Sequence, residues 1–168
     1  MGRLSWFPDA TWNWGALPPN QPEVGPLLRR RVREQQNRAV HVLMIEDDHS
    51  IADMYRLQLE HDGFKVTVAT TAEVGFKTLI ADAPDIVLLD LLLPDQSGFD
   101  VLATLKERFP EPPPVVILSN YGEPSMIDRG LSLGAIEYLV KSRVTPADVS
   151  GQIPAWVERG RRGGKAES

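Results

Sequence analysis

The sequence predicts an α/β fold: an open, doubly wound parallel sheet of five strands, each followed by a helix. Three observations predict it. Five short and almost wholly apolar runs recur between residues 40 and 140. Each is followed by a segment whose apolar residues fall three and four apart, the period of a helix with one buried face. Gly and Pro stand at the joints between them. Strands apolar on both faces belong in a parallel sheet covered on both sides. Five units leave that sheet open, because a barrel of this kind closes only at about eight.

The elements follow in order. Residues 40–45 form a buried strand, and Ile51, Met54, Tyr55 and Leu59 then mark one face of a helix that Gly63 ends. Residues 66–69 are the second strand. Thr70 or Thr71 caps a second helix that reaches about Asp82, and Pro84 stops it. Residues 86–89 are the third strand. Ser97 or Gly98 opens a helix with Phe99, Leu102, Leu105 and Phe109 on one side, and residues 110–114 are a rigid Pro-rich spacer. Residues 115–118 are the fourth strand, followed by a helix near residues 124–133 that Gly134 ends. Residues 136–140 are the fifth strand. Thr145 and Pro146 start a last helix, with Pro at its first position and Asp148 in its first turn.

The chain has 168 residues, enough for one domain with tails, and 42% of them are apolar. There is no cysteine, which excludes a disulfide scaffold, a Cys-ligated zinc site and a thiol nucleophile. The three histidines (His41, His49, His61) are too few for a His-rich metal site. The net charge of −5 is unevenly spread: +3 over residues 1–38, −10 over 39–150 and +2 over 151–168. An acidic body disfavours nonspecific nucleic-acid binding, so no direct DNA binding is expected. No apolar run approaches the ~18–20 residues of a membrane span, and the start does not read as a signal peptide. The expectation is a cytoplasmic protein with no membrane partner.

Residues 1–26 hold five prolines and three of the four tryptophans (Trp6, Trp12, Trp14). Pro fixes φ and removes a donor, so residues 1–38 are expected to be a disordered Pro/Trp-rich and then basic extension. The Trp residues read either as a short docking motif or as an extension without a role. Residues 39–158 are the expected domain and residues 159–168 a disordered tail.

In an open parallel sheet the chemistry lies beyond the carboxyl ends of the strands. Strand one ends in Glu46, Asp47 and Asp48; strand three in Asp90; strand four in Ser119; strand five in Lys141. Adjacent acids beside buried strands are costly unless a cation neutralises them. A lone acid at Asp90 also reads as a turn or helix cap, but acids at two strand ends meeting a hydroxyl and a Lys favour a site. Carboxylates with water suit Mg²⁺. A carboxylate can itself attack phosphorus. The set therefore reads as a phosphorylatable Asp90, a metal held by Glu46, Asp47 and Asp90, and Ser119 and Lys141 as phosphate partners.

Val-Leu-Met-Ile-Glu46-Asp47-Asp48, Val-Leu-Leu-Asp90-Leu-Leu-Leu-Pro94-Asp-Gln-Ser-Gly98, Val-Val-Ile-Leu-Ser119 and Gly134-Ala-Ile-Glu-Tyr138-Leu-Val-Lys141 occur in that order. Together they resemble the receiver domain of two-component response regulators, over roughly residues 39–158. The resemblance implies a flavodoxin-like sheet of order 2-1-3-4-5. It implies Asp90 as phosphoacceptor, Asp47 as direct and Glu46 as water-mediated Mg²⁺ ligand, and the Leu92 carbonyl completing the shell. Ser119 and Tyr138 become the coupled switch residues, and Lys141 the partner of the phosphoryl group. On phosphorylation Tyr138 turns inward and the face of helix 4, strand 5 and helix 5 is reshaped. The implied partners are a histidine kinase or histidine phosphotransfer protein and a downstream protein target, with the chain a monomer or weak homodimer. Asp48 is a helix-cap candidate, His49 and Ser50 cap or surface residues, and His41 and His61 structural or exposed. Tyr138 also reads as a plain strand aromatic.

The sequence departs from the family at several points. Ser142 follows Lys141 where Pro is common, so a trans bond and a looser loop are expected. Asn120 replaces a smaller residue and narrows access to the phosphate. Leu92 and Tyr121 are not general bases, so autodephosphorylation is expected to be slow. Pro154 lies inside the last helix, which is expected to be short or bent, and this weakens a dimer through helices 4 and 5. The stripe Val149, Ile153, Trp156 and Val157 serves either such a contact or the sheet. Only ten residues follow 158, so a stand-alone receiver is expected, a phosphoacceptor rather than an enzyme. The alternative is a docking module that keeps the fold without cycling phosphate. A flavodoxin is disfavoured by Glu46-Asp47-Asp48 in its phosphate loop, and a haloacid-dehalogenase-type phosphatase by Leu92 in place of an Asp.

Overall fold

A computed structural model describes residues 38–163, and the expected extension lies outside them apart from Arg38. The compact unit begins at Ala39. Five strands and five helices alternate: β1 (His41–Ile45), α1 (His49–His61), β2 (Lys65–Ala69), α2 (Ala72–Asp82), β3 (Ile86–Leu89), α3 (Gly98–Arg108), β4 (Val115–Ser119), α4 (Pro124–Ser132), β5 (Glu137–Val140) and α5 (Pro146–Gly163). The sheet is parallel throughout, in the order β2-β1-β3-β4-β5.

The period-2 geometry of the strands divides the core. Leu43, Ile45, Val87, Leu89 and Ile117 face one side, where Leu79 of α2, Leu102 and Leu105 of α3 and Met126 and Ile127 of α4 pack on them. Val42, Met44, Leu88, Val116 and Leu118 face the other, against Tyr55 and Leu59 of α1 and the Val149, Ile153, Trp156 and Val157 stripe of α5. That stripe therefore covers the sheet. Both faces are dry, which is why β1, β3 and β4 are apolar at nearly every position.

Local chemistry sets the element ends. Asp48 caps α1 through the amides of Ser50 and Ile51, and Thr71 caps α2 through the amide of Val74. Ser97 caps α3. Gly63 and Gly134 take positive φ after α1 and α4, as expected of Gly beyond a helix end. At the end of α2 the left-handed residue is Ala83, at φ 43°.

Two expectations about the C-terminal part, a short last helix and a loose loop after the fifth strand, are corrected. The helix α5 is not cut short at Pro154; it runs on to Gly163, so the first five residues of the expected tail are helical. An interior Pro costs about 3 kcal/mol. Trp156 and Val157, beyond it, are both buried, and each such burial contributes roughly 1.5–3 kcal/mol. Continuing the helix is the better outcome, with Pro154 on its exposed side. The segment after β5 is a 3-10 turn, Lys141–Arg143, rather than a loose loop. Among the described residues there is no cis peptide bond, as expected for Lys141–Ser142.

Candidate functional site

The parallel register puts the carboxyl ends of β1 and β3 side by side. Ile45 pairs with Leu89, and the Asp90 amide donates to the Ile45 carbonyl at 2.9 Å. The next residues, Glu46 and Asp90, emerge together. Asp47 completes the group: carboxylate oxygens of Glu46, Asp47 and Asp90 all lie within 4.8 Å of one another. Glu46 and Asp90 are buried and Asp47 is exposed.

β5 delivers the cation. Ser119 pairs with Val140 at the end of the sheet, and the chain then turns at Lys141. The Lys141 ammonium lies 2.5 Å from Glu46 Oε2 and 3.3 Å from Asp90 Oδ2, with its own side chain buried. Burial pushes the Glu46 carboxyl above the usual carboxylate range; the Lys141 hydrogen bond opposes this, and the Asp90 charge adds to it. The Asp48 amide also donates to Glu46 Oε1, at 3.2 Å.

The remaining residues surround this core. Ser119 is fully buried, and its hydroxyl oxygen accepts from the Tyr121 amide at 3.1 Å. The Tyr138 ring is buried too, and its hydroxyl donates to the Tyr121 carbonyl at 2.7 Å. This is an inward placement of Tyr138, with the ring packed in the core below α4. Leu92 and Tyr121 are exposed, as is Asn120. The Leu92 amide points back towards Asp90 Oδ1, at 3.4 Å. His41 is buried in β1, with Nε2 2.8 Å from Thr67 Oγ1, and is structural. His61 is exposed and His49 opens α1 at the surface, as does Ser50.

Two residues near the site escaped the sequence reading. Gly98 does more than open a helix: a Cβ there would lie 2.5 Å from the Asp90 carbonyl oxygen, so only Gly lets α3 start this close to the end of β3. Asp95 carries no motif signal in the sequence, and it accepts hydrogen bonds from the Ala72 and Glu73 amides of α2. A bond across more than twenty residues leaves no local signal.

Residues 42–149 match the family model described as response regulator receiver domain. Transcriptional regulatory protein CseB of Streptomyces coelicolor is 37% identical over 101 residues, covering 60% of this chain and 42% of that protein. Sensory transduction protein RegX3 of Mycobacterium bovis is 36% identical over 121 residues, covering 71% of this chain and 51% of that protein. The CheY-like receiver domain protein of Methanospirillum hungatei superposes with a TM-score of 0.67 at 25% identity, covering 75% of this chain and 99% of that one. The chain thus spans about half the length of the curated relatives it matches.

These relatives correct one expectation. The acidic balance had argued for no direct DNA binding. Proteins named as transcriptional regulators match this region over only part of a longer chain, so the charge of this region excludes nothing about DNA. Among the described residues no helix is long and apolar enough to cross a membrane.

Proposed function

This chain belongs to the response regulator receiver family, and on that premise we propose that it accepts a phosphoryl group on Asp90 from a histidine kinase and signals through a docking surface that phosphorylation alters. The observation that carries the reading is the cluster itself: three carboxylates within 4.8 Å, with a buried ammonium on two of them.

The donor set fits Mg²⁺. All three side chains offer hard oxygen ligands, and the one exposed acid, Asp47, leaves the cluster open to solvent on one side. In this reading Asp47 and Asp90 would hold the ion directly, Glu46 would act through water, and the Leu92 carbonyl would add a ligand. The ion supplies charge neutralisation at the phosphoryl oxygens.

The protein's own residues do the rest. An Asp90 oxygen attacks the phosphorus of a phosphohistidine; the O–P bond forms as the P–N bond breaks, and the electron pair stays on the imidazole nitrogen, which takes up a proton. Lys141 exchanges its contact with Glu46 for the new phosphoryl oxygens. The Ser119 hydroxyl, whose oxygen already accepts from the Tyr121 amide, donates its hydrogen to another of them, and any movement of Ser119 toward the phosphoryl group pulls on Tyr121. Because Tyr121 also receives the Tyr138 hydroxyl bond, that shift is felt at β5 and α4. Neither Leu92 nor Tyr121 can act as a base toward water, so the acyl phosphate is long-lived. The chain assists its own modification and turns over no separate substrate.

The test is intact mass after incubation with acetyl phosphate and Mg²⁺. The expected result is gain of one phosphoryl group by the wild type and none by Asp90→Asn. Equal labelling of both overturns the assignment.

A further inference from the structure

We infer that Asp95 is a positioning residue for the acidic site, its carboxylate tying the loop between β3 and α3 to the N-terminus of α2. The inference rests on the receiver reading of that site.

The loop begins at Asp90, carries Leu92 and ends at Ser97. Its two ends are held by the backbone. The Asp90 amide bonds the Ile45 carbonyl, the Gly98 amide bonds the Leu91 carbonyl at 2.8 Å, and Leu92 and Ser97 form a bridge. At the tip, Leu93 packs on the core, and the exposed residues after it, Pro94 and Asp95, are held by a separate tie. Pro94 stiffens the loop but offers no amide. Asp95 supplies the tie with both oxygens: Oδ1 accepts from the Ala72 amide at 3.0 Å and Oδ2 from the Glu73 amide at 3.0 Å. Both amides belong to the first turn of α2, where no helical carbonyl reaches them and the helix dipole favours an anion.

α2 keeps a side-chain cap of its own apart from Asp95. Thr71 already accepts from the Val74 amide at 3.2 Å. The helix does not depend on Asp95 for position. Ala72 and Leu79 are buried, and Gly75 lets the Ile45 side chain approach so closely that a Cβ would lie 2.6 Å from Ile45 Cδ1. α2 is the fixed partner. The exposed loop, with Leu92 and Pro94 at the surface, is the part that needs fixing. Asp95 is not one of the three clustered acids, so it acts on the ion only through the loop.

The experiment uses the whole chain and three variants, Asp95→Ala, Asp95→Asn and Thr71→Ala. It reads Mg²⁺ affinity by calorimetric titration, amide exchange over residues 91–97, and the thermal midpoint. For Asp95→Ala the Mg²⁺ dissociation constant is expected to rise about tenfold, with faster exchange in the loop. Asp95→Asn keeps one acceptor oxygen and is expected to recover part of the loss. Thr71→Ala weakens α2 alone, so its midpoint is expected to fall while its Mg²⁺ affinity holds. Unchanged affinity in Asp95→Ala overturns the inference. So does an equal affinity loss in Thr71→Ala, which would trace the effect to α2 stability. Absence of Mg²⁺ binding by the wild type overturns the receiver reading itself, and the inference with it.

Discussion

The Lys141 ammonium lies 2.5 Å from Glu46 and 3.3 Å from Asp90, bridging two buried carboxylates from the ends of β1 and β3. Breaking a buried pair by removing one partner costs about 3–5 kcal/mol, because an uncompensated charge is left behind. Lys141→Met is therefore expected to be several kcal/mol less stable than the wild type in Mg²⁺-free buffer. Added Mg²⁺ replaces the lost positive charge, so it is expected to raise the midpoint of the variant more than that of the wild type. Thermal unfolding with EDTA and with Mg²⁺ checks both.

Gly98→Ala sets two effects against each other. Ala gains at most about 1 kcal/mol of helix propensity over Gly, the value for a helix interior, and Gly98 is only the first helical residue. The new Cβ, however, meets the Asp90 carbonyl oxygen at 2.5 Å and Leu91 Cα at 2.8 Å, both backbone atoms that cannot rotate away. Overpacking of this kind costs roughly 1–3 kcal/mol. Net destabilisation is expected, with slower phosphoryl uptake because Asp90 must move. Urea unfolding and the rate of mass gain measure the two consequences.

Tyr138→Phe removes the donor to the Tyr121 carbonyl and leaves the ring volume in place. A hydrogen bond of this sort contributes about 1 kcal/mol net. The urea midpoint is expected to fall by that equivalent with an unchanged slope.

Asp62 joins α1 to α5. Its carboxylate accepts from the Ser150 hydroxyl and from Gln58, and these bonds, with His61, lower its pKa to about 2. A carboxyl lowered on folding stabilises above its unfolded value, 3.8, and that contribution is lost as pH falls through about 2. The midpoint gap between wild type and Asp62→Ala is expected to hold from pH 7 to pH 4.5 and to narrow by pH 2.5. A constant gap would show that the charge of Asp62 contributes nothing.

The fold was legible because its signals are local. Apolar runs marked all five strands to within a residue or so, and caps such as Asp48 and Thr71 act over two or three positions. His41 is the polar residue within the expected first strand, and Thr67 on the neighbouring strand gives its buried ring a partner. Pro154 does not end its helix, because the rule for an isolated helix omits the burial of Trp156 and Val157 beyond it. In the site, the strand-end rule brought Glu46, Asp47, Asp90, Ser119 and Lys141 forward for inspection. It could not say that Lys141 rests on Glu46, a pairing across 95 residues. Nor could it reveal Asp95, whose partners are set by how α2 docks beside the loop. Charge patterning misjudged DNA binding because it describes a region, while the relatives carry that region within longer chains.

Borohydride trapping tests the central claim most directly. The reagent reduces an aspartyl acyl phosphate to homoserine, which peptide mapping locates to one residue. After treatment with acetyl phosphate and Mg²⁺, the product is expected at position 90 alone, and absent when Mg²⁺ is chelated. No product at position 90 in a folded protein, or product elsewhere, would contradict phosphoryl transfer to Asp90 and leave a docking module that keeps the receiver fold without its chemistry.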